Sequence, residues 1–411
     1  MIPPASCRWP RFGAVSVVLA ATAVAAAEWP EFRGADGRGI VPAAAIPSRW
    51  AADEGVAWKA ELPGRGASSP IVVGDLVVVT AASGPKQDRL HVLAFDRTTG
   101  KPRWQRTLWA TGRTLCHTTS SVAAGTPASD GKRIVALFSS CDLFCLDLDG
   151  RLAWQRNLAV EHPRSGNDVG MGASPRIIDG TLVVQIDCQG DAFVSGIDLE
   201  SGADRWTAAR EKIAGWSSPL AVPLPGQPAT EPPRGVLLQN PNGLELRRAA
   251  DGTMAWSWQG DCAGIPMTTE RSGRLFVPGD GMTAIDARAA GPEPAWKSPK
   301  LACGIASPLV FGDTVVTINR AGVLVVGDAT DGSIRGQVRL AGSFWASPIV
   351  VGTTVIAASK EGKVFLVSLE GEPRILSANE LPGTFTATPA VADGSLYLRS
   401  ETTLWRVAGR P

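Results

Sequence analysis

Short runs of β-branched and other apolar residues recur along the chain, each broken by a Gly-Asp or Asp-Gly pair and followed by a second run. Ile71-Val72-Val73-Gly74-Asp75-Leu76-Val77-Val78-Val79 and Leu309-Val310-Phe311-Gly312-Asp313-Thr314-Val315-Val316 show the form. Such runs joined by such turns predict antiparallel hairpins. A third strand then ends in Asp, with a Gly four or three residues later and a Trp four beyond that: Asp96-Gly100-Trp104, Asp147-Gly150-Trp154 and Asp198-Gly202-Trp206. The Asp side chain can cap the turn and Gly can take the positive φ it needs. Each unit therefore predicts four strands.

A small residue followed by proline opens each unit, at Ser69-Pro70, Thr126-Pro127, Ser174-Pro175, Ser218-Pro219, Ile265-Pro266, Ser307-Pro308, Ser347-Pro348 and Thr388-Pro389. The prolines lie 57, 48, 44, 47, 42, 40 and 41 residues apart, a period that belongs to repeat architectures. The fold class is accordingly all-β, an eight-bladed β-propeller of four-stranded antiparallel blades. The repeated Trp, at Trp58, Trp104, Trp154, Trp206, Trp256 and Trp296, is expected to join one blade to the next. A buried ring of that size contributes roughly 1.5–3 kcal/mol or more. The pattern weakens at four places: Arg248 replaces the Asp, Trp296 stands five residues past Gly291, and Gly336 and Ile375 occupy Trp positions. The last unit has only three strands, and Gly55-Val56-Ala57-Trp58-Lys59-Ala60 supplies the fourth, an N-terminal strand that closes the ring and removes an exposed edge.

The first 27 residues do not fit this pattern. Arg8 and Arg11 precede an apolar run from Ala14 to Val24 and three alanines, which predicts a cleaved signal peptide ending near Ala27-Glu28. The expected organisation is a signal peptide at 1–27, an N-terminal extension at 28–54, the propeller at 55–408 and a tail at 409–411. The mature chain is expected to be periplasmic or secreted, monomeric, and without a transmembrane segment. No Cys follows the apolar run to carry a lipid. The net charge of +1 argues against nucleic acid as a partner.

Export gives the six cysteines beyond Cys7 an oxidising compartment, with 15 full connectivities available. Repeat position brings forward Cys262 with Cys303 and Cys141 with Cys188 as candidate disulfides; Cys145 reads as buried. The three histidines, His91, His117 and His162, are scattered, so neither a metal cluster nor a Ser/His/Asp arrangement has a signature. Asp147-Leu148-Asp149-Gly150 lacks the further ligands of a calcium loop. No catalytic, cofactor-binding or metal-binding residue is assigned.

Phe95-Asp96-Arg97-Thr98-Thr99-Gly100-Lys101-Pro102-Arg103-Trp104 resembles the repeat of the PQQ-like, or quinoprotein-type, β-propeller family. Trp29-Pro30-Glu31-Phe32-Arg33-Gly34 resembles a segment that precedes the propeller in exported bacterial members. Resemblance to the quinoprotein dehydrogenases implies pyrroloquinoline quinone (PQQ) and calcium, an Asp base, Glu and Asn metal ligands and, in alcohol dehydrogenases, a vicinal cysteine pair. This sequence has no Cys-Cys and is shorter than those enzymes. Resemblance to the BamB-like branch, outer-membrane-protein assembly factors, implies a noncatalytic eight-bladed scaffold that binds envelope proteins on one face.

The expected function is an exported, noncatalytic protein-interaction scaffold without a cofactor. The alternatives are a PQQ-dependent alcohol or sugar dehydrogenase and binding of a carbohydrate or small ligand at the channel mouth. Since loops at one end of a propeller carry its contacts, the candidate surface is the set of connectors before each proline: Arg65, Asn167, Asp168, Trp216 and Trp345. Trp109 and the Pro223 to Pro233 insert are expected on a rim or in a long hairpin loop. The Ser-Pro repeat itself is expected to serve architecture alone.

Overall fold

The structure, a computed structural model, describes Met1 and residues 28–287 and 291–409. The predicted signal peptide, Met1 apart, lies outside the described residues. Eight sheets form the ring, each with four antiparallel strands and one of them carrying a fifth, parallel strand. Blade 1 has the strands Ile71–Val73, Leu76–Ser83, Arg89–Asp96 and Pro102–Trp109. Blades 2 to 7 repeat this order over residues 128–157, 176–209, 220–259, 269–298, 309–339 and 349–380. Blade 8 takes three strands from residues 390–408, and its outermost strand is Val56–Glu61, paired antiparallel with Thr403–Ala408. The ring therefore closes as the sequence predicts.

Burial follows strand position within a blade. The second strand of blade 1 is buried on both faces, whereas Pro102–Trp109 alternates half-buried and exposed residues as an outer strand should. Pro223 to Pro233 lies in the loop between the strands Leu220–Val222 and Gly235–Asn240.

Five of the six blade Trp residues dock on the turn of the following blade. The indole Nε1 of Trp58, Trp104, Trp154, Trp206 and Trp296 donates to the carbonyls of Arg97, Leu148, Leu199, Ala249 and Ala329, at 2.7–3.2 Å. The ring lies on the turn glycine, so that a Cβ at Gly100, Gly150, Gly202, Gly252 or Gly332 would stand 2.5–2.7 Å from it. Gly is thus required twice over, for its positive φ and for the approach of the neighbouring indole. In the turn itself, Asp96 accepts from the backbone N–H groups of Thr98 and Thr99, and Asp198 from those of Glu200 and Ser201. Trp256 is buried but has no partner for its Nε1 among the described residues. Where Gly336 replaces the Trp, Pro373 of the next blade fills the space.

One opening motif is corrected. The first strand of blade 5 is Thr269–Arg271, so Met267-Thr268, and not Ile265-Pro266, holds the place that Ser307-Pro308 holds before Leu309–Phe311. Thr268 has an N–H where the other blades have proline, and Gln239 Oε1 accepts it at 2.7 Å.

Residues 28–41 run as a strap across the inner edges of the blades. Trp29 and Val72 exchange backbone hydrogen bonds at 2.9 Å, and Pro30 O accepts from Ser129 N–H. Glu31 meets Arg176 at 3.4 Å, Arg38 pairs with Glu270, and Ile40–Val41 adds a parallel strand to Ile349–Val351. The strap satisfies inner-strand edges that would otherwise face the channel unpaired.

Candidate functional site

The residue before each proline is held extended by the ring that follows it, which aims its N–H at the neighbouring blade. Ser69 N donates to Thr126 Oγ1, Thr126 N to Ser174 Oγ, and Ser174 N to Ser218 Oγ, at 2.9–3.0 Å. Met267 N donates to Ser307 Oγ, Ser307 N to Ser347 Oγ, Ser347 N to Thr388 Oγ1, and Thr388 N back to Ser69 Oγ, at 3.0–3.1 Å. This chain of bonds encircles the axis and breaks once, between Ser218 and Met267, because Met has no hydroxyl. The opening motif therefore starts a strand and also joins one blade to the next.

The seven hydroxyls line a well of about 350 Å³ at the channel's connector end. Phe32 of the strap is at its floor. Trp216, Trp345, His117, Val169, Ile265 and Ile305, all from connectors, form its upper wall. Trp216 is oriented by a 2.8 Å bond from its Nε1 to Gly170 O; the His117 backbone N–H donates to Val169 O at 3.0 Å, and its ring Nδ1 accepts from the backbone N–H of Thr119 at 3.2 Å. No Asp or Glu lines the well. Two guanidinium groups adjoin it, each buried completely. Arg33 follows Phe32 and donates to Pro308 O, next to Ser307; Arg399 donates to the carbonyl and hydroxyl of Ser68, next to Ser69. Neither forms an ion pair among the described residues, and Nε of both is unpartnered. Burial pulls Arg33 down to about 10 and Arg399 down to about 9.

Of the five candidate surface residues, only Trp216 and Trp345 meet at the well. Arg65 is bound to Glu401 at 2.8 Å and to Thr118 O. Asn167 is buried and donates to Asp187 O, while Asp168 is exposed and pairs with Arg113 at 2.6 Å. Sequence reasoning missed Phe32, His117, Met267 and the hydroxyls, although the periodic Ser/Thr was itself the available signal. Trp109 is exposed beneath Arg89.

None of the six described cysteines is disulfide-bonded, so neither Cys262–Cys303 nor Cys141–Cys188 is formed. Cys303 faces Arg33, and Cys262 packs in the blade 4–5 core. Among the described residues there is no group of three or more His, Cys, Asp or Glu side chains able to hold a metal, and no helix is long and apolar enough to cross a membrane. The well thus lacks the carboxylate donors that calcium requires.

No curated protein matches the chain in sequence. Among solved structures, BamB from Moraxella catarrhalis is similar at 18% identity, with a TM-score of 0.64, covering 86% of this chain and 97% of that one. A quinohemoprotein alcohol dehydrogenase from Comamonas testosteroni is similar at 12% identity and a TM-score of 0.63, covering 94% and 81%. A europium-containing methanol dehydrogenase is similar at 12% and 0.62, covering 90% and 89%. At these identities the likeness is one of fold. The sequence matches the family described as outer membrane protein assembly factor BamB over residues 49–223 and 191–409, and with the blade repeat and ring closure above, the chain belongs to that PQQ-like propeller family.

Proposed function

We propose that the chain is an exported, noncatalytic propeller that binds a partner protein of the cell envelope at its connector end. The observation that carries this reading is the apolar, aromatic mouth formed by Trp216, Trp345, Val169 and Ile265. Val169 and Ile265 are 42% and 41% exposed, and aromatic anchors framed by apolar side chains are the usual centre of a binding face. A noncatalytic role is favoured over the quinone-dependent dehydrogenase because the well offers neither a carboxylate base nor carboxylate metal ligands. The predicted leader at 1–27 supports export.

Crosslinked capture from an envelope fraction should retain a partner on the wild-type chain and lose it on Val169→Asp/Ile265→Asp. Both side chains are exposed, so the fold should be kept. A partner retained by the double variant would move the interface elsewhere. Dye-linked alcohol or sugar oxidation by the purified chain with pyrroloquinoline quinone and calcium would overturn the noncatalytic reading.

A further inference from the structure

We propose that the well is a binding site for a small organic carboxylate with a compact apolar body, held by the ring hydroxyls. The seven hydroxyls each accept a backbone N–H from the neighbouring blade, and among the described residues none donates its own proton to an acceptor. A hydroxyl is both donor and acceptor, so the ring presents a circle of protons to the cavity it lines. The ring residues are at most 9% exposed, where an unmet donor is costly.

The surroundings select the ligand's charge and shape. The lining has no anionic side chain, and the fully buried Arg33 and Arg399 each stand one residue along the chain, or one hydrogen bond, from it. Asp36 acts on Arg33 and Glu401 on Arg399 from beyond ion-pair distance, and two buried cations so weakly compensated favour a further anion nearby. The remaining wall is apolar: Phe32, Val169, Ile265, Met267, Ile305 and the two indoles. About 350 Å³ suits a small molecule. The carboxylate is placed at the ring and the apolar body toward Trp216 and Trp345. This site requires no partner protein and no metal, so it holds whether or not the connector end docks a protein.

Titration calorimetry of the purified chain with phenylacetate, and separately with phenethylamine, tests the assignment. Phenylacetate should bind one per chain and raise the melting temperature; phenethylamine should do neither. Ser347→Ala should weaken phenylacetate about tenfold, the scale of one lost hydrogen bond to a charged group. Ser347→Thr should retain affinity, because Thr126 and Thr388 already serve in the ring. Arg399→Met should weaken phenylacetate while leaving binding of 2-phenylethanol unchanged. If Ser347→Ala fails to fold, the Ser347→Thr and Arg399→Met arms still decide. Equal binding of phenylacetate and phenethylamine, no binding of phenylacetate at millimolar concentration, or unaltered affinity in a folded Ser347→Ala would each overturn the proposal.

Discussion

Glu31 is the ionisable side chain at which burial and pairing are most nearly opposed. Removal from water drives its carboxyl up to about 7, and Arg176 at 3.4 Å offsets only part of that. The folded state then holds a proton on Glu31 between pH 4.5 and 7 that the unfolded chain has released. Its contribution is therefore complete below the unfolded value and is lost as pH rises through 7. The strap should be tighter at pH 5 than at pH 8, by about 2.5 kcal/mol from this group. Urea unfolding at the two pH values checks it, with Glu31→Gln expected to remove most of the difference. Asp96, Asp198 and Asp328, held below the ordinary carboxylate range by turn hydrogen bonds and arginines, act at lower pH, whereas His91, held below its ordinary value by burial, acts in the same window with the opposite sign, so the Glu31→Gln comparison isolates the Glu31 part. Thiol chemistry gives a second residue-scale expectation. Burial pushes Cys141, Cys145, Cys262 and Cys303 up to about 12, and reactivity follows the thiolate. A disulfide reagent at pH 8 should leave these four unmodified in the native chain and modify them after denaturation.

At the scale of the strand and turn, the unit of cohesion is one blade's Trp on the next blade's Gly. Gly202→Ala combines a strained φ of +74° with a Cβ 2.7 Å from the ring of Trp154. It should cost about 2–4 kcal/mol, combining backbone strain with overpacking, whereas Gly131→Ala, at φ +84° with open space around it, should cost only the strain. Thermal unfolding of the two variants separates the terms. This pairing was half legible in the sequence: the Asp-Gly-Trp spacing exposed the turn and the ring, but not that the Gly of one unit receives the Trp of the unit before it. Contacts between repeats leave no mark on the period within a repeat. The same limit explains Ile265-Pro266. A proline two residues early imitates the motif in one dimension, and only the start of Thr269–Arg271 assigns the place to Met267-Thr268. The well was less legible still, since its floor comes from Phe32 and its wall from eight units that meet only when the ring closes.

For the molecule as a whole, closure rests on one non-local sheet. Blades 1 to 7 complete themselves from consecutive residues, but blade 8 needs Val56–Glu61 beside Thr403–Ala408, joining the two ends of the propeller sequence. Trp58 lies in that strand and also docks on Gly100 of blade 1, with its Nε1 on Arg97 O. It therefore serves both the pairing of blade 8 and the joint between blades 8 and 1. Trp154 occupies the same place in blade 2, in a strand tethered by a short turn to its neighbour. Truncating either indole removes about 3–5 kcal/mol of packing, but the global consequences should differ. Trp58→Ala frees the closing strand and leaves the edge of Thr403–Ala408 unpaired, a surface that recruits strands from other chains. Trp154→Ala opens no such edge, because its strand remains held in its own hairpin. Size-exclusion chromatography across a concentration series should show association only for Trp58→Ala, with both variants melting lower in calorimetry. Monomeric Trp58→Ala with the same loss as Trp154→Ala would mean that closure is carried by the backbone ladder and the strap, and that the ring has no weak joint.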